Sequence, residues 1–296
     1  MLASAVAIYG VQIAAQFLLV YFNADLARNM NIVLAATMIP MYAFGYPIAF
    51  LILSGGNNRR TIVKRRMRPL HFFVAFLMSY ALLMAGNIIG LIVTLGIGFL
   101  KGEPVRNGLN DLVGNSNIWI TSIYTVLLAP IFEELLFRKM VCDRVVKYGQ
   151  GAAILLSGLL FGLFHGNFNQ FFYAFFIGSF FAFIYVKTGN IKYTIGLHMM
   201  VNFIGSVVGG LFLQKVDLEN LTPIALLVSA LYAFIIYGIV ISGLVLLLVN
   251  HSKLKADAGE IVLEKRQRNK IALVNVGMIL YYIFFLFFMI YQALRG

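Results

Sequence analysis

The chain has 296 residues, 61% of them hydrophobic and only 11% charged, with a mean hydropathy of +0.89. A water-soluble domain of this size cannot hide so much apolar surface, so composition excludes one and places the chain in a bilayer. The net charge of +12 would suggest nucleic acid in a soluble protein, but here it sits in short loops between apolar runs; topology accounts for it, and no nucleic acid is expected as a partner.

Apolar runs fall near 1–22, 32–54, 70–100, 118–141, 151–165, 171–186, 193–213, 223–250 and 271–293. Most reach the roughly 20 residues that a spanning helix needs. The runs 151–165 and 171–186 are short and joined only by Gly166, Asn167, Phe168, Asn169 and Gln170, which predicts a tight helical hairpin buried among its neighbours. Met1–Phe22 has no basic leader and no small-residue cleavage site, and reads as a first spanning helix. The fold expected is all-α: a polytopic transmembrane bundle of about eight to nine spanning helices, forming one domain over 1–296. The charged stretch 251–270 reads as a solvated loop. Cys142 stands alone, cannot form an internal disulfide, and reads as an inert thiol.

The basic residues set the orientation. Arg59, Arg60, Lys64, Arg65, Arg66 and Arg68 crowd the second connection, and Arg138, Lys139, Arg144 and Lys147 follow the fourth run. Lys187 and Lys192 flank the sixth, while Lys253, Lys255, Lys265, Arg266, Arg268 and Lys270 fill the stretch before the last. With alternating segments these groups share one side, leaving Arg28, Lys101, Arg106, Lys215 and Arg295 for the other. That bias places the basic side, and the N-terminus with it, in the cytoplasm.

Of eleven acidic residues only Glu133 and Glu134 sit within an apolar run. Charge there costs several kcal/mol without a partner and marks function. Glu134 and Arg138 are four apart, share a helix face and can neutralise each other. Glu133 is rotated about 100° away and has no such partner on its own helix. Glu134 therefore reads as structural and Glu133 as free to react. Pro130 removes a backbone hydrogen bond just before them and can open the helix where a site is built.

Two further helices carry polar faces. Phe161 stands one turn before His165, and His198 and Asn202 are four apart on one side of the seventh helix. Depth measured from the cytoplasmic ends gives about 12 Å for Glu133, about 8 Å for His198 and about 21 Å for His165. The last does not match the other two.

A carboxylate in a low-dielectric site can act as a general base near neutral pH. Peptide hydrolysis needs a base for water, donors for the tetrahedral oxyanion and an acid for the leaving amine. Glu133 with His165 could hold and activate the water, and His198 with Asn202 could donate to the oxyanion. Alternatively Glu133, His165, His198 and Asn202 could ligate zinc. HExxH is absent, so no local spacing favours a metal: no cofactor is the expectation, with zinc the alternative. GxSG and GxGD are also missing.

Glu133-Glu134…Arg138, Phe161…His165 and His198…Asn202 match, in order, the motifs EExxxR, FxxxH and HxxxN. The sequence thereby resembles the CAAX protease and bacteriocin-processing (CPBP, or Abi) family of intramembrane endopeptidases, with a catalytic core over 119–208. The resemblance implies that Glu133 is the catalytic base, His165 its partner on the water, His198 with Asn202 the oxyanion side, and Glu134–Arg138 the supporting ion pair. It also implies a membrane-associated peptide or protein as substrate, through bacteriocin processing or cleavage of a CAAX terminus. A bacterial plasma membrane, with the site opening towards the cytoplasm, is the expected setting. Two other functions stand beside it: a proton-coupled transporter, for which no inverted repeat is visible, and a non-enzymatic bacteriocin-immunity or scaffold protein.

Overall fold

In lipid a chain of this kind must satisfy its backbone internally, and continuous apolar runs do so as helices. The computed structural model describes residues 1–55, 60–105, 116–216, 222–261 and 263–295; Arg59 and Arg106, used above for orientation, lie outside them. Among the described residues there are helices and no strands. Eight helices are long and apolar enough to cross a membrane: α1 (Leu2–Phe22), α2 (Met30–Ser54), α3 (Pro69–Lys101), α4 (Ile118–Tyr148), α6 (Phe168–Thr188), α7 (Ile191–Phe212), α8 (Pro223–Lys253) and α10 (Val276–Arg295). Between them lie the shorter apolar helix α5 (Gln150–Phe164) and the polar α9 (Lys265–Ala272).

The predicted hairpin is the pair α5 and α6. Gly166 turns the chain at φ +67°, a left-handed value that suits glycine, and the Asn167 side chain then caps α6 by accepting from the Gln170 amide at 2.9 Å. As expected, this pair sits inside the bundle: α6 is the most enclosed of the spans. Helices there approach closely through small residues. A Cβ on Gly86 of α3 would lie 2.3 Å from the Cα of Tyr173.

The basic loops gather at one end, as alternating spans require. The Arg60 amide donates to the Asp143 carbonyl at 2.8 Å, and the Arg65 amide to that of Thr188 at 2.7 Å. The stretch 251–270 departs from a freely solvated loop. Its 256–261 portion docks on the α4–α5 turn, where the Gln150 amide donates to the Asp257 carbonyl at 3.1 Å and the Ile261 amide to that of Lys147 at 3.0 Å.

Candidate active site

The two adjacent carboxylates of α4 face different surroundings. Glu134 is fully buried and accepts from Arg138 through Nε at 2.9 Å and Nη2 at 3.1 Å. Arg138, itself fully buried, gives its remaining Nη1 to Ser157 Oγ at 2.7 Å, and that hydroxyl donates to the Phe137 carbonyl at 2.9 Å. A buried cation fully committed in this way is tolerable, because each desolvated group has a partner. The Glu133 side chain retains 15% exposure and lines a cavity.

His165 closes α5. The last carbonyls of a helix lack amide partners, and here each finds another donor. The Tyr281 hydroxyl donates to Leu160 at 3.0 Å, His165 Nδ1 to Phe161 at 2.8 Å, the His165 amide to Gly162 at 3.3 Å, and the Gly166 amide to Leu163 at 2.9 Å; the Tyr9 hydroxyl donates to Phe164. Since a carbonyl only accepts, Nδ1 of His165 carries the proton, leaving Nε2 with a lone pair.

His198 on α7 is buried at 3% exposure, with Nδ1 3.1 Å from Glu134 Oε1 and Nε2 3.8 Å from Glu133 Oε2. An arginine-paired carboxylate accepts, so Nδ1–H points at Glu134. The distance to Glu133 is too long for a hydrogen bond and leaves Nε2 unspent. Asn202 donates Nδ2 to the Thr125 carbonyl at 2.8 Å. The reason lies in α4, which is widened to π register over Ile123–Leu128, with the Ala129 amide reaching the Tyr124 carbonyl. In that register the donor for Thr125 falls at Pro130, which has no N–H. Asn202 supplies the missing donor, and its second amide hydrogen remains.

Phe161 ties these parts together. Its ring lies under the Arg138 guanidinium, 5.0 Å from ring centre, and meets His165 and His198 edge-on at 4.8 and 5.8 Å. Gly178 opposite makes room, since a Cβ there would lie 2.6 Å from the Phe161 ring.

Glu133, Phe161, His165, His198 and Asn202 all line one cavity of about 200 Å³. Tyr42, Thr125, Gln170 and Tyr173 line it too. Sequence reasoning did not single out these four: tyrosines and threonines in apolar helices carry no distinguishing pattern, and Gln170 read only as part of the hairpin connection. From Glu133 the cavity runs past Tyr124 to Leu34, Thr121 and Ser206, near the helix ends remote from the basic loops. The expected opening towards the basic end is not the direction this cavity takes: there Phe137, Arg138 and Phe161 are packed at 0–1% exposure and close the floor.

The depth mismatch has a physical resolution. α4 does not stop near 141 but continues to Tyr148, since its charges are held: Arg138 by Glu134, and the buried Asp143 by Lys139 at 2.6 Å and the Tyr185 hydroxyl at 2.7 Å. Glu133 and His165 then stand sixteen residues on either side of Gly149, at equal depth in two antiparallel helices. As to zinc, no group of three or more His, Cys, Asp and Glu among the described residues is arranged to hold a metal ion. Both histidines have Nδ1 committed, to Phe161 and to Glu134, and turn Nε2 to the cavity they line.

No curated protein and no solved structure matches the chain. A protein-family model described as type II CAAX prenyl endopeptidase Rce1-like matches residues 115–204. That stretch contains Glu133, His165, His198 and Asn202, and the family it matches is the CAAX protease family that the three motifs resemble.

Proposed function

We propose that this integral membrane protein is an intramembrane endopeptidase that hydrolyses a peptide bond of a membrane-associated peptide or protein. The family match supports a CAAX-type protease, and one observation carries the chemistry: Glu133 and Nε2 of His198 face each other at 3.8 Å in a cavity shared with His165 and Asn202. A water held there gives one hydrogen to the Glu133 carboxylate and the other to the lone pair of His165 Nε2. Its own lone pair is then directed at the scissile carbonyl carbon. Glu133 takes the proton as the C–O bond forms, and passes it to the nitrogen as the C–N bond breaks. The oxyanion is placed on the side of His198 and Asn202, where the second amide hydrogen of Asn202 can be donated to it. No metal is part of this proposal.

The setting we propose is a bacterial plasma membrane, where processing of a bacteriocin-like peptide or an anchored protein is the fitting role. The basic end faces the cytoplasm, and substrate enters along the polar track of Thr121, Thr125 and Ser206. The test is turnover in membranes carrying Glu133→Gln at normal abundance. Loss of cleavage supports the proposal, and wild-type cleavage removes it.

A further inference from the structure

Tyr173 on α6 lines the cavity beside His165, their ring centres 6.2 Å apart, and no step above uses its hydroxyl. The direction of that hydroxyl follows from a chain of hydrogen bonds that begins at the backbone of the α5–α6 turn. The Gln170 amide donates to the Asn167 side chain at 2.9 Å, so the atom it meets is the oxygen, Oδ1. The other Asn167 atom is Nδ2, as its 2.9 Å bond to the His165 carbonyl also requires. Nδ2 gives its second hydrogen to the Gln170 side chain at 2.7 Å, which makes that acceptor Oε1. Nε2 of Gln170 then lies 2.8 Å from the Tyr173 hydroxyl and can only donate. The tyrosine oxygen therefore accepts, and its own hydrogen is turned away from Gln170. Among the described residues no acceptor takes that hydrogen.

The cavity has a use for such a donor. Glu133 and Nε2 of His165 both accept, so a water between them gives up both hydrogens yet can still swing about the line joining its partners. A donor on the water oxygen stops that swing and leaves one lone pair with one direction. Tyr42 and Tyr124 line the cavity too, but among the described residues no hydrogen bond holds either hydroxyl. Tyr173 is held at both ends: its hydroxyl by Gln170, and its backbone by α3, where only a glycine at position 86 admits it. A donor fixed before substrate arrives costs no reorganisation during the reaction.

We propose, resting on the endopeptidase reading above, that Tyr173 is a further catalytic residue whose O–H donates to the attacking water, with Asn167 and Gln170 as positioning residues that set its direction. The test follows the initial rate at which Glu133-dependent peptide termini appear in membranes carrying the full chain at matched abundance. Tyr173→Phe keeps the ring and removes the hydroxyl, and should slow that rate about tenfold, the order of one hydrogen bond. Gln170→Glu keeps an oxygen towards Asn167 and a bond to Tyr173 but reverses that bond, drawing the tyrosine hydrogen to itself. It should slow the rate as much, and adding it to Tyr173→Phe should slow the rate no further. A purely structural role predicts the wild-type rate for Gln170→Glu, since every contact survives. That result, a wild-type rate in Tyr173→Phe, or the same loss from Gln170→Glu with and without the hydroxyl would each overturn the proposal and leave the endopeptidase reading standing. Termini that do not depend on Glu133 would remove both.

Discussion

Glu133 and Glu134 are neighbours in sequence with opposite fates, because a helix turns each residue by about 100°. One is locked by a bidentate arginine and a histidine; the other meets a cavity. Their variants should separate accordingly. Glu133→Gln is expected to abolish turnover while leaving membrane-inserted protein at wild-type amounts, measured by blotting and size-exclusion profile. Arg138→Ala is expected to lower the amount of folded protein, since breaking a buried pair costs about 3–5 kcal/mol. Glu134→Gln should keep the fold better than Arg138→Ala yet reduce kcat more than KM, because it withdraws the carboxylate that holds Nδ1 of His198. Much of this was legible beforehand: acids and histidines stand out in an apolar chain, and the spacing of four couples Glu134 to Arg138. The bond from Glu134 to His198 was not, because it joins helices 64 residues apart and no local spacing encodes it.

At the scale of elements, the site rests on irregular helix. α4 is widened at Ile123–Leu128 and again at Leu135–Cys142, and α7 at Phe203–Val208, all next to the cavity. Pro130 signalled the first of these in the sequence; nothing signalled the others. Asn202 serves this irregularity as well as the chemistry, since it fills the place of the Pro130 amide. Asn202→Leu leaves the Thr125 carbonyl unpaired and should cost about 1–3 kcal/mol, visible as a lower thermal midpoint in detergent. Gly178→Val should displace the Phe161 ring and with it both histidines, so turnover falls without any change to a reacting group. The helix boundary was the part least legible: the fourth apolar run ends near 141, whereas α4 continues to Tyr148. Its charges are held within α4 by Glu134 and Lys139 and across the bundle by Ser157 on α5 and Tyr185 on α6.

For the whole molecule, composition and loop charge were sufficient to read a helical bundle with one basic end, and the docking of 60–65 and 256–261 around α4, α5 and α6 bears out the shared side of those loops. Single-cysteine variants at Lys64 and Lys255, in a Cys142→Ser background, should label with a membrane-impermeant thiol reagent only after cells are opened. Labelling in intact cells would reverse the proposed orientation. The most direct measurement is quantitative peptidomics on membranes carrying wild-type or Glu133→Gln protein at matched abundance, with and without a chelator. New peptide termini should accompany the wild type, persist with the chelator and disappear in Glu133→Gln. Termini that survive the Glu133 substitution would contradict the central claim that this carboxylate activates the attacking water.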